Sequence, residues 1–234
     1  MTIPHNGSDV TAGLRQAVRE LARRVDRLES AQAVRNLQHA YGYYLDKCLY
    51  SEVVGLFSAD CEIVFMGGIY RGIPGARRLY TGRFRGRFTD GGDGPVPGFL
   101  LDHPQLQDVV HVDEDGEHAS ARFRTLMQAG THDSVDHPRS RAAQWWEGGL
   151  YENRYARERG VWKIQRLRYQ PVWHAVYDDG WAHTPPAYVP NETVTYPDAE
   201  FGPDELVPDP HELWPGTAIV PFHYPHPVTG EAWR

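Results

Sequence analysis

The sequence has 234 residues, of which 41% are hydrophobic and 12% aromatic, enough for one folded domain with an appendage and too many for a wholly disordered chain. The formal net charge is −7. From Pro171 onward the sequence contains ten Asp and Glu residues but only one Arg and no Lys. A nearly neutral body with an acidic tail argues against nucleic acid as a partner, because phosphate binding needs a basic face.

The sequence lacks the patterns expected of secreted or membrane proteins. The two cysteines do not form a disulfide framework, and the N-terminal residues lack the charged-then-apolar pattern of a signal peptide. No run of about 18 apolar residues occurs, so we expect no membrane partner. We therefore expect a cytoplasmic location.

The first thirty residues are predicted to form an amphipathic helical arm. Apolar residues alternate in steps of four and three, and charged residues fill the opposite face. So narrow a stripe is expected on a partner surface or another subunit. Packing of the arm on its own domain is an equal alternative. The stripe consists of Leu14, Val18, Leu21, Val25 and Leu28.

Short helices and one strand are predicted next. Apolar positions from Val34 to Cys48 recur every three or four residues and mark the buried face of a second helical stretch. We predict a short helix from Ser51, with Phe57 among its apolar residues, a strand from Glu62 to Met66, and another short helix from Ile73 to Tyr80. Residues 89–98 are too rich in glycine and proline for regular structure. They are long enough to act as a lid.

Four strands and two tight turns are predicted after this loop. The turns join the strands as antiparallel hairpins, and helices followed by a sheet indicate an α+β fold. The predicted strands are Gln105–Val112, His118–Gln128, Gln144–Tyr155 and Trp162–Tyr169.

Residues 171–234 have a different composition. They contain 12 of the 18 prolines, too many for helices or central strands. Aromatic residues are nevertheless spread through them, and a disordered tail would be poor in aromatics. We predict an extended arm that is docked through its aromatic rings, on its own domain or on a neighbouring subunit.

Tyr41, Asp46 and His103 are the candidate catalytic residues. Tyr41 lies on the apolar face of the second helical stretch, so its hydroxyl needs a partner inside the fold. Asp46 follows about 140° further around the helix, so the two side chains do not share a face. His103 precedes the first long strand, and histidine is the natural general base near neutral pH. A solvent-exposed histidine at the strand edge is the alternative.

Strand alternation assigns further residues to the pocket. On the first long strand it places His103, Gln105 and Gln107 on one side. On the third strand it places Trp145 and Tyr151 on a face where polar groups lie among aromatic rings, as in small-molecule pockets. Outward-facing pairs are the alternative.

Tyr44 lies on the apolar face of the second helical stretch. Arg78 is one of several arginines around the short helix and the following loop; one of them could hold a substrate carboxylate or phenolate, and solvation of the arginines is the alternative. The candidate substrate-binding residues are Tyr44, Arg78, Trp145 and Tyr151.

Motifs for cofactors and metals are missing from the sequence. No dinucleotide-binding or phosphate-binding glycine loop is present, so we expect no cofactor. The histidine pairs His132/His137 and His223/His226 have no convincing third ligand, so we expect no metal.

Taken together, several segments resemble the nuclear transport factor 2-like superfamily, and within it the SnoaL-like branch. The resemblance covers about residues 30 to 170 and is specific for the fold, which hosts many reactions. The segments that carry it are Val34–Leu37, Tyr41–Asp46, Glu52–Asp60, Ile69–Gly72, Tyr151–Tyr155 and Gly160–Ile164.

The resemblance implies a cone-shaped α+β barrel in which a curled antiparallel sheet wraps around the N-terminal helices and encloses a pocket. It divides the chain into an N-terminal helical arm (1–30), a catalytic domain (31–170) and an acidic, proline-rich C-terminal extension (171–234). It also implies a homo-oligomer, either a dimer or a trimer. The two flanking segments would suit contacts between subunits.

Within the superfamily the sequence is similar to bile acid dehydratases, scytalone dehydratase and sphingomonad diarylpropane lyases. The dehydratases place a tyrosine and an aspartate on the first long helix and a histidine at the mouth of the sheet, and Tyr41, Asp46 and His103 match these positions. The arginine that the bile acid enzymes have after the last strand corresponds to about Pro171, which puts a bile acid substrate in doubt. By this resemblance His103, oriented by Asp46, would move a proton while Tyr41 hydrogen-bonds the leaving oxygen.

The implied activity is that of a cofactor-independent lyase acting on a hydroxylated aromatic or polycyclic small molecule. One such reaction is deformylation of a lignin-derived phenolic diarylpropane to a stilbene. The alternatives are a dehydratase or isomerase of a steroid or polyketide, a non-catalytic binding module, and the β-subunit of a ring-hydroxylating oxygenase.

Overall fold

The computed structural model describes residues 7–135, 144–186, 191–208 and 212–233, with side chains from residue 10 onward. Its helical elements are α1 (Gly7–Asp46), α2 (Tyr50–Gly55), α3 (Gly72–Arg77), a π-helical segment (Arg78–Phe84), α4 (Arg85–Phe88) and α5 (Gly180–His183). Its strands are β1 (Phe57–Phe65), β2 (Gly68–Arg71), β3 (Phe99–Asp102), β4 (Gln105–Val112), β5 (His118–Thr131), β6 (Gln144–Glu158), β7 (Val161–Val176) and β8 (Glu205–Leu206). In the described part of the chain no helix is apolar and long enough to cross a membrane.

The N-terminal arm and the second predicted helical stretch form one continuous helix, α1. No proline interrupts these residues, so backbone hydrogen bonding can run through the whole segment. The N-terminal half of α1 is exposed and its C-terminal half is buried against the sheet. One helix therefore joins the arm to the centre of the fold.

The predicted α+β fold, with helices packed into a curled sheet, is confirmed. The strand order is β3-β5-β6-β7-β1-β2-β8, and β4 also pairs with β5. The sheet is mixed rather than wholly antiparallel, because β1 runs parallel to β7. The apolar pattern of a strand does not encode its direction, so the sequence could not show this pairing.

Several element boundaries differ from the prediction. Phe57, assigned to a short helix, begins β1. The short helix predicted to end at Tyr80 continues through the π-helical segment to Phe88. Strand β7 continues through Pro171. This proline is tolerated because β1 pairs with β7 only as far as Arg168, and because the β6–β7 register shifts directly after Pro171, where Val172 has no partner in the register.

Residues 89–98 have no regular structure, as predicted, but they are not detached from the domain. Asp93 Oδ1 accepts a hydrogen bond from the backbone N–H of Tyr50 (2.8 Å), the first residue of α2. The backbone N–H of Gly94 donates to the carbonyl of Cys48 (2.9 Å). The loop thus closes over the connection between α1 and α2.

The core between the helices and the sheet is rich in tyrosine. A buried amide network satisfies some of the hydroxyl groups: Tyr155 donates to Gln38 of α1 (2.8 Å), and Asn153 also donates to Gln38 (3.0 Å). Gln38 in turn donates to Gln105 of β4 (2.8 Å). These bonds fix α1 against β4 and β6. The buried tyrosines are Tyr41, Tyr50, Tyr70, Tyr80, Tyr151, Tyr155 and Tyr169.

The described parts of the C-terminal extension lie on their own domain. Strand β8 pairs antiparallel with β2. Further along, Arg122 on the outer face of the sheet donates to the carbonyls of Val220 (3.1 Å) and Pro221 (2.5 Å), and its guanidinium lies 4.4 Å from the centre of the Phe222 ring. The extension therefore covers both the β2 edge and part of the outer sheet face.

Candidate active site

A glycine in α1 brings the helix close to the strand that follows His103. A Cβ atom added at Gly42 would lie 2.8 Å from Cγ of Gln105 and 3.5 Å from the carbonyl oxygen of His103. Only a residue without a side chain permits this approach. The close packing places Tyr41 and Asp46, on either side of Gly42 along the chain, next to the β3–β4 connection.

His103 is buried at that connection, between the end of β3 and the start of β4, and is 5% exposed. Its Nε2 lies 3.4 Å from the hydroxyl of Tyr151, and the Tyr169 ring stands edge-on at 6.1 Å between ring centres. His103 Nδ1 has no hydrogen-bond partner among the described residues. The alternative of a solvent-exposed histidine is thus not what the structure shows.

Tyr41 belongs to the same aromatic cluster. Its hydroxyl lies 3.0 Å from that of Tyr80, and its ring centre is 5.7 Å from that of Tyr151. Since Tyr151 also contacts His103, a chain of neighbouring polar groups runs from Tyr80 through Tyr41 and Tyr151 to the imidazole.

Asp46 does not pair with the imidazole of His103, contrary to the predicted orienting role. Its carboxylate accepts a hydrogen bond from the backbone N–H of His103, and Oδ1 has no partner among the described residues. The helical spacing explains this position. Asp46 lies about 140° around α1 from Tyr41, so it reaches the main chain at the mouth while Tyr41 points inward.

Burial determines the protonation of these groups. It lowers the pKa of His103 to about 4, although the nearby Glu147 and Asp102 carboxylates oppose the shift. It raises the pKa of Asp46 to about 6, against the effect of the His103 N–H, and the pKa of Tyr41 to about 12. At neutral pH the site therefore contains a neutral imidazole, an ionised carboxylate at its edge and neutral phenols.

A second set of buried polar residues adjoins His103, and sequence reasoning did not assign it a role. Tyr169 donates a hydrogen bond to Glu147 Oε1, and Glu147 Oε2 lies 2.6 Å from His174 Nδ1. All three side chains are buried. A Cβ added at Gly149 would lie 2.6 Å from the Tyr169 hydroxyl. The adjacent glycines Gly148 and Gly149 of β6 were therefore the sequence signal that side chains of the neighbouring strand pack closely on β6.

The predicted alternation along β4 is wrong because of a bulge. Gln107 has φ of 22°, and the β4–β5 register shifts between Leu106 and Asp108. Gln105 consequently faces α1, whereas Gln107 lines a groove on the outer face of the sheet. That groove has a volume of about 650 Å³ and does not include His103.

Two of the predicted substrate-binding residues lie elsewhere. Arg78 faces the C-terminal extension, where it pairs with Asp204 (2.5 Å) and donates to the carbonyl of Gly202 (3.1 Å), so its guanidinium does not reach the site. Trp145 lies near the start of β6, between Ala129 and Val176, away from the tyrosine cluster.

The other two predicted substrate-binding residues are nearer. Tyr151 is part of the site, next to His103 and Tyr41. Tyr44 is half-buried and packs on the core, and among the described residues its ring makes no ring contact with the imidazole of His103.

Histidine clusters do not form a metal centre among the described residues, where no group of three or more His, Cys, Asp or Glu side chains is placed to hold an ion. His137, one of the paired histidines of the sequence, lies outside these residues. His223 Nδ1 pairs with Glu152 Oε1, and His223 Nε2 lies 3.4 Å from His111 Nδ1.

Comparison with known proteins gives a family and a fold. The sequence matches the SnoaL-like domain family over residues 26–168, more than half of the chain. No curated protein matches it.

Three solved structures illustrate the structural similarity. A putative scytalone dehydratase from Novosphingobium aromaticivorans is 18% identical with a TM-score of 0.51, covering 64% of this chain and 89% of that chain. A type 2 hexachlorocyclohexane dehydrochlorinase (LinA) is 18% identical with a TM-score of 0.53, covering 70% and 99%. The type 3 enzyme from Novosphingobium barchaimii is 18% identical with a TM-score of 0.51, covering 73% and 99%. At this identity the similarity concerns the fold.

Proposed function

Because the chain belongs to the SnoaL-like domain family, we propose that it is a cofactor-independent lyase that uses general acid–base catalysis on a hydroxylated aromatic or polycyclic small molecule. The observation that carries this proposal is the buried His103, whose Nδ1 has no hydrogen-bond partner in the described part of the chain and whose Nε2 adjoins the Tyr151 hydroxyl. A buried polar atom without a partner is costly, so a site that keeps one is suited to a ligand that supplies it.

The protonation states fit an elimination. With a pKa of about 4, His103 is unprotonated at neutral pH and can accept a proton from substrate. Tyr41, with a pKa of about 12, keeps its proton and can hydrogen-bond an oxygen on which charge develops. Asp46 supports the arrangement by holding the backbone of His103 rather than its ring.

The aromatic lining supports an aromatic substrate. Tyr151 and Tyr169 adjoin the imidazole and Tyr41 packs on Tyr151, and aromatic rings of this kind offer edge-to-face contacts to a bound ring. The three similar structures described above are all named for eliminations, one as a putative dehydratase and two as dehydrochlorinases, which agrees with this choice of reaction.

For a phenolic diarylpropane diol, the proposed reaction is deformylation. His103 accepts the proton of the terminal hydroxyl, the bond between the terminal carbon and its neighbour breaks, and formaldehyde leaves. The electron pair of that bond forms the stilbene double bond, and the benzylic hydroxyl departs as water after gaining one proton. The proton taken and the proton supplied balance, so no oxidant or reductant is needed.

The test is turnover of a panel of hydroxylated aromatic dimers, steroids and polyketides by chelator-treated protein, followed by formaldehyde release, conjugated absorbance and product mass. We expect a stilbene and formaldehyde from a diarylpropane, and a loss of at least about 100-fold in kcat/KM for His103→Gln. The matched control is His118→Gln, which alters an exposed histidine paired with Asp115 and is expected to retain activity.

The other outcomes would contradict the proposal in different ways. A product with the mass of the substrate indicates an isomerase, and loss of water alone indicates a dehydratase. Loss of activity on chelation contradicts cofactor independence, and full activity of His103→Gln removes the proposed base. Tight binding without turnover of any panel member indicates a non-catalytic module.

A further inference from the structure

The N-terminal half of α1 presents a continuous apolar stripe to solvent. Its members follow one another at steps of four, three, four and three residues, and each is between 51% and 73% exposed. Burial of these large apolar side chains against another surface would lower the free energy, because it removes them from water. The stripe consists of Leu14, Val18, Leu21, Val25 and Leu28.

The stripe points away from its own domain. Asp26, on the domain side of the helix, pairs with Arg157 of the β6–β7 hairpin (3.1 Å), and Ser30 is buried. At 100° per residue, these two positions lie on average about 140° around the helix from the stripe. The described part of its own chain leaves the stripe uncovered, so packing of the arm on its own domain, the alternative left open by the sequence, is not what the structure shows.

The residue types along the stripe follow a heptad pattern. The two valines, Val18 and Val25, occupy its a positions, and the leucines Leu14, Leu21 and Leu28 occupy its d positions. In coiled coils, β-branched residues at a with leucine at d favour two parallel strands over three or four. The stripe is therefore chemically suited to a second copy of itself.

The charges beside the stripe agree with a parallel pair. In that arrangement the g residue of one helix faces the e residue of the following heptad in its partner. Here g is Arg24 and e is Glu29, so the symmetric dimer would form two Arg–Glu pairs. Neither residue has an ion-pair partner among the described residues of its own chain.

The apolar heptad pattern ends after Leu28, just before α1 packs into its own domain. The next a and d positions are Gln32 and Arg35, which are polar, and Arg35 pairs with Asp108 of its own β4. Beyond this point α1 buries its other face in the domain. We propose that residues 10–31 of two chains form a parallel two-stranded coiled coil that makes the protein a dimer, whatever reaction its pocket performs.

The first test is the molar mass of the full chain by light scattering. We expect a dimer, and a monomer for the double variant Leu21→Asp/Val25→Asp. The control Gln16→Asp adds a charge on the opposite side of the same helix and is expected to stay dimeric. Unchanged near-ultraviolet circular dichroism in all variants would show that the domain remains folded, because the altered side chains are exposed.

Two further variants test partner orientation. Arg24→Glu would oppose Glu29 of the partner and is expected to weaken dimerisation about tenfold, and Arg24→Glu/Glu29→Arg is expected to restore it. Leu14→Cys, oxidised, is expected to give a covalent dimer, because identical d residues meet across a parallel axis. A wild-type monomer or trimer, a dimer that survives the double Asp substitution, or no cross-link at residue 14 would overturn the proposal.

Discussion

Burial shifts the pKa values of Asp46 and His103 in opposite directions, in each case towards the neutral form. The folded pKa of His103 is lowered from 6.5 to about 4, so its neutral form contributes stability that is lost as the pH falls through that range. The folded pKa of Asp46 is raised from 3.8 to about 6, so the folded protein prefers the protonated acid. Stability from Asp46 is therefore lost as the pH rises through 6, where its carboxylate ionises.

This sign gives a prediction for Asp46→Asn. The amide cannot ionise, so the variant avoids the cost of a partly buried charge and is expected to be more stable than the wild type by about 1–2 kcal/mol at pH 8, after allowance for solvent screening. The difference is expected to shrink between pH 6 and pH 4. Urea unfolding at a series of pH values measures it.

The control for this prediction is Asp178→Asn, which makes the same substitution at an exposed residue that follows β7. The difference between its effects at pH 5 and pH 8 is expected to be smaller than that of Asp46→Asn. A difference for Asp46→Asn that is the same at pH 5 and pH 8 would show that its carboxyl is not held in a disfavoured charged form.

For individual residues, the sequence predicted the position of a side chain correctly where a regular apolar pattern marked the buried face of its helix. Tyr41 was placed inward by helical periodicity, and the contact between its ring and Tyr151 agrees with that placement. The Glu147–His174 pair could not be foreseen, because His174 lies on a part of β7 beyond a proline. The pairing of Arg78 with Asp204 could not be foreseen either, because Asp204 lies in the C-terminal extension, far along the chain.

The helical segment from Gly72 to Phe88 shows how one element can be shaped by another. Its Gly82 has no side chain where the Phe201 ring of the C-terminal extension packs, and an added Cβ would overlap that ring. At Gly86, one turn later, an added Cβ would meet no atom of the described residues within 4 Å. Two glycines of one helical segment thus have different roles.

Alanine substitutions should separate these roles. Gly82→Ala is expected to destabilise the protein by about 1–3 kcal/mol, because either the helix or Phe201 must move. Gly86→Ala is expected to stabilise it by about 0.5–1 kcal/mol, through the helical preference of alanine. Thermal unfolding measures both. Equal effects of the two substitutions would mean that the extension does not pack on the π-helical segment.

The strands also show where sequence patterns stop being sufficient. The bounds of β4 were predicted to the residue, since turns and alternating hydrophobicity mark them. The bulge at Gln107 within β4 was not, because it is set by how β4 follows β5 around the curve of the sheet. The parallel placement of β1 beside β7 likewise depends on tertiary packing.

At the scale of the whole molecule, the uneven charge of the sequence becomes internal complementarity. Several arginines of the body are paired with acids of the C-terminal extension rather than with solvent or substrate. The pairs are Arg71 with Glu205, Arg78 with Asp204, and Arg83 with Glu192. The acidic tail therefore neutralises a basic face of its own domain.

Asp204 is expected to contribute most to this attachment. Its Oδ2 accepts the backbone N–H of Arg71 (2.8 Å) and pairs with the largely buried Arg78. Asp204→Asn is expected to lower the free energy of unfolding by about 1–3 kcal/mol and to speed proteolysis within residues 191–208. Glu205→Gln, which affects only an exposed pair with Arg71, is expected to cost less than about 0.5 kcal/mol. Equal, small effects would contradict an extension held by Asp204.

The parallel pairing of β1 with β7 has a consequence for how the chain reaches this structure. Ile63 pairs with Leu167, so most of the domain lies between two neighbouring strands of the sheet. Closing so long a loop costs chain entropy before any contact repays it, which slows folding. During synthesis, α1, α2 and β1 emerge first and then wait for β7. Until then the edge of β1 that pairs with β7 is unpaired, and an unpaired strand edge favours aggregation of the nascent chain.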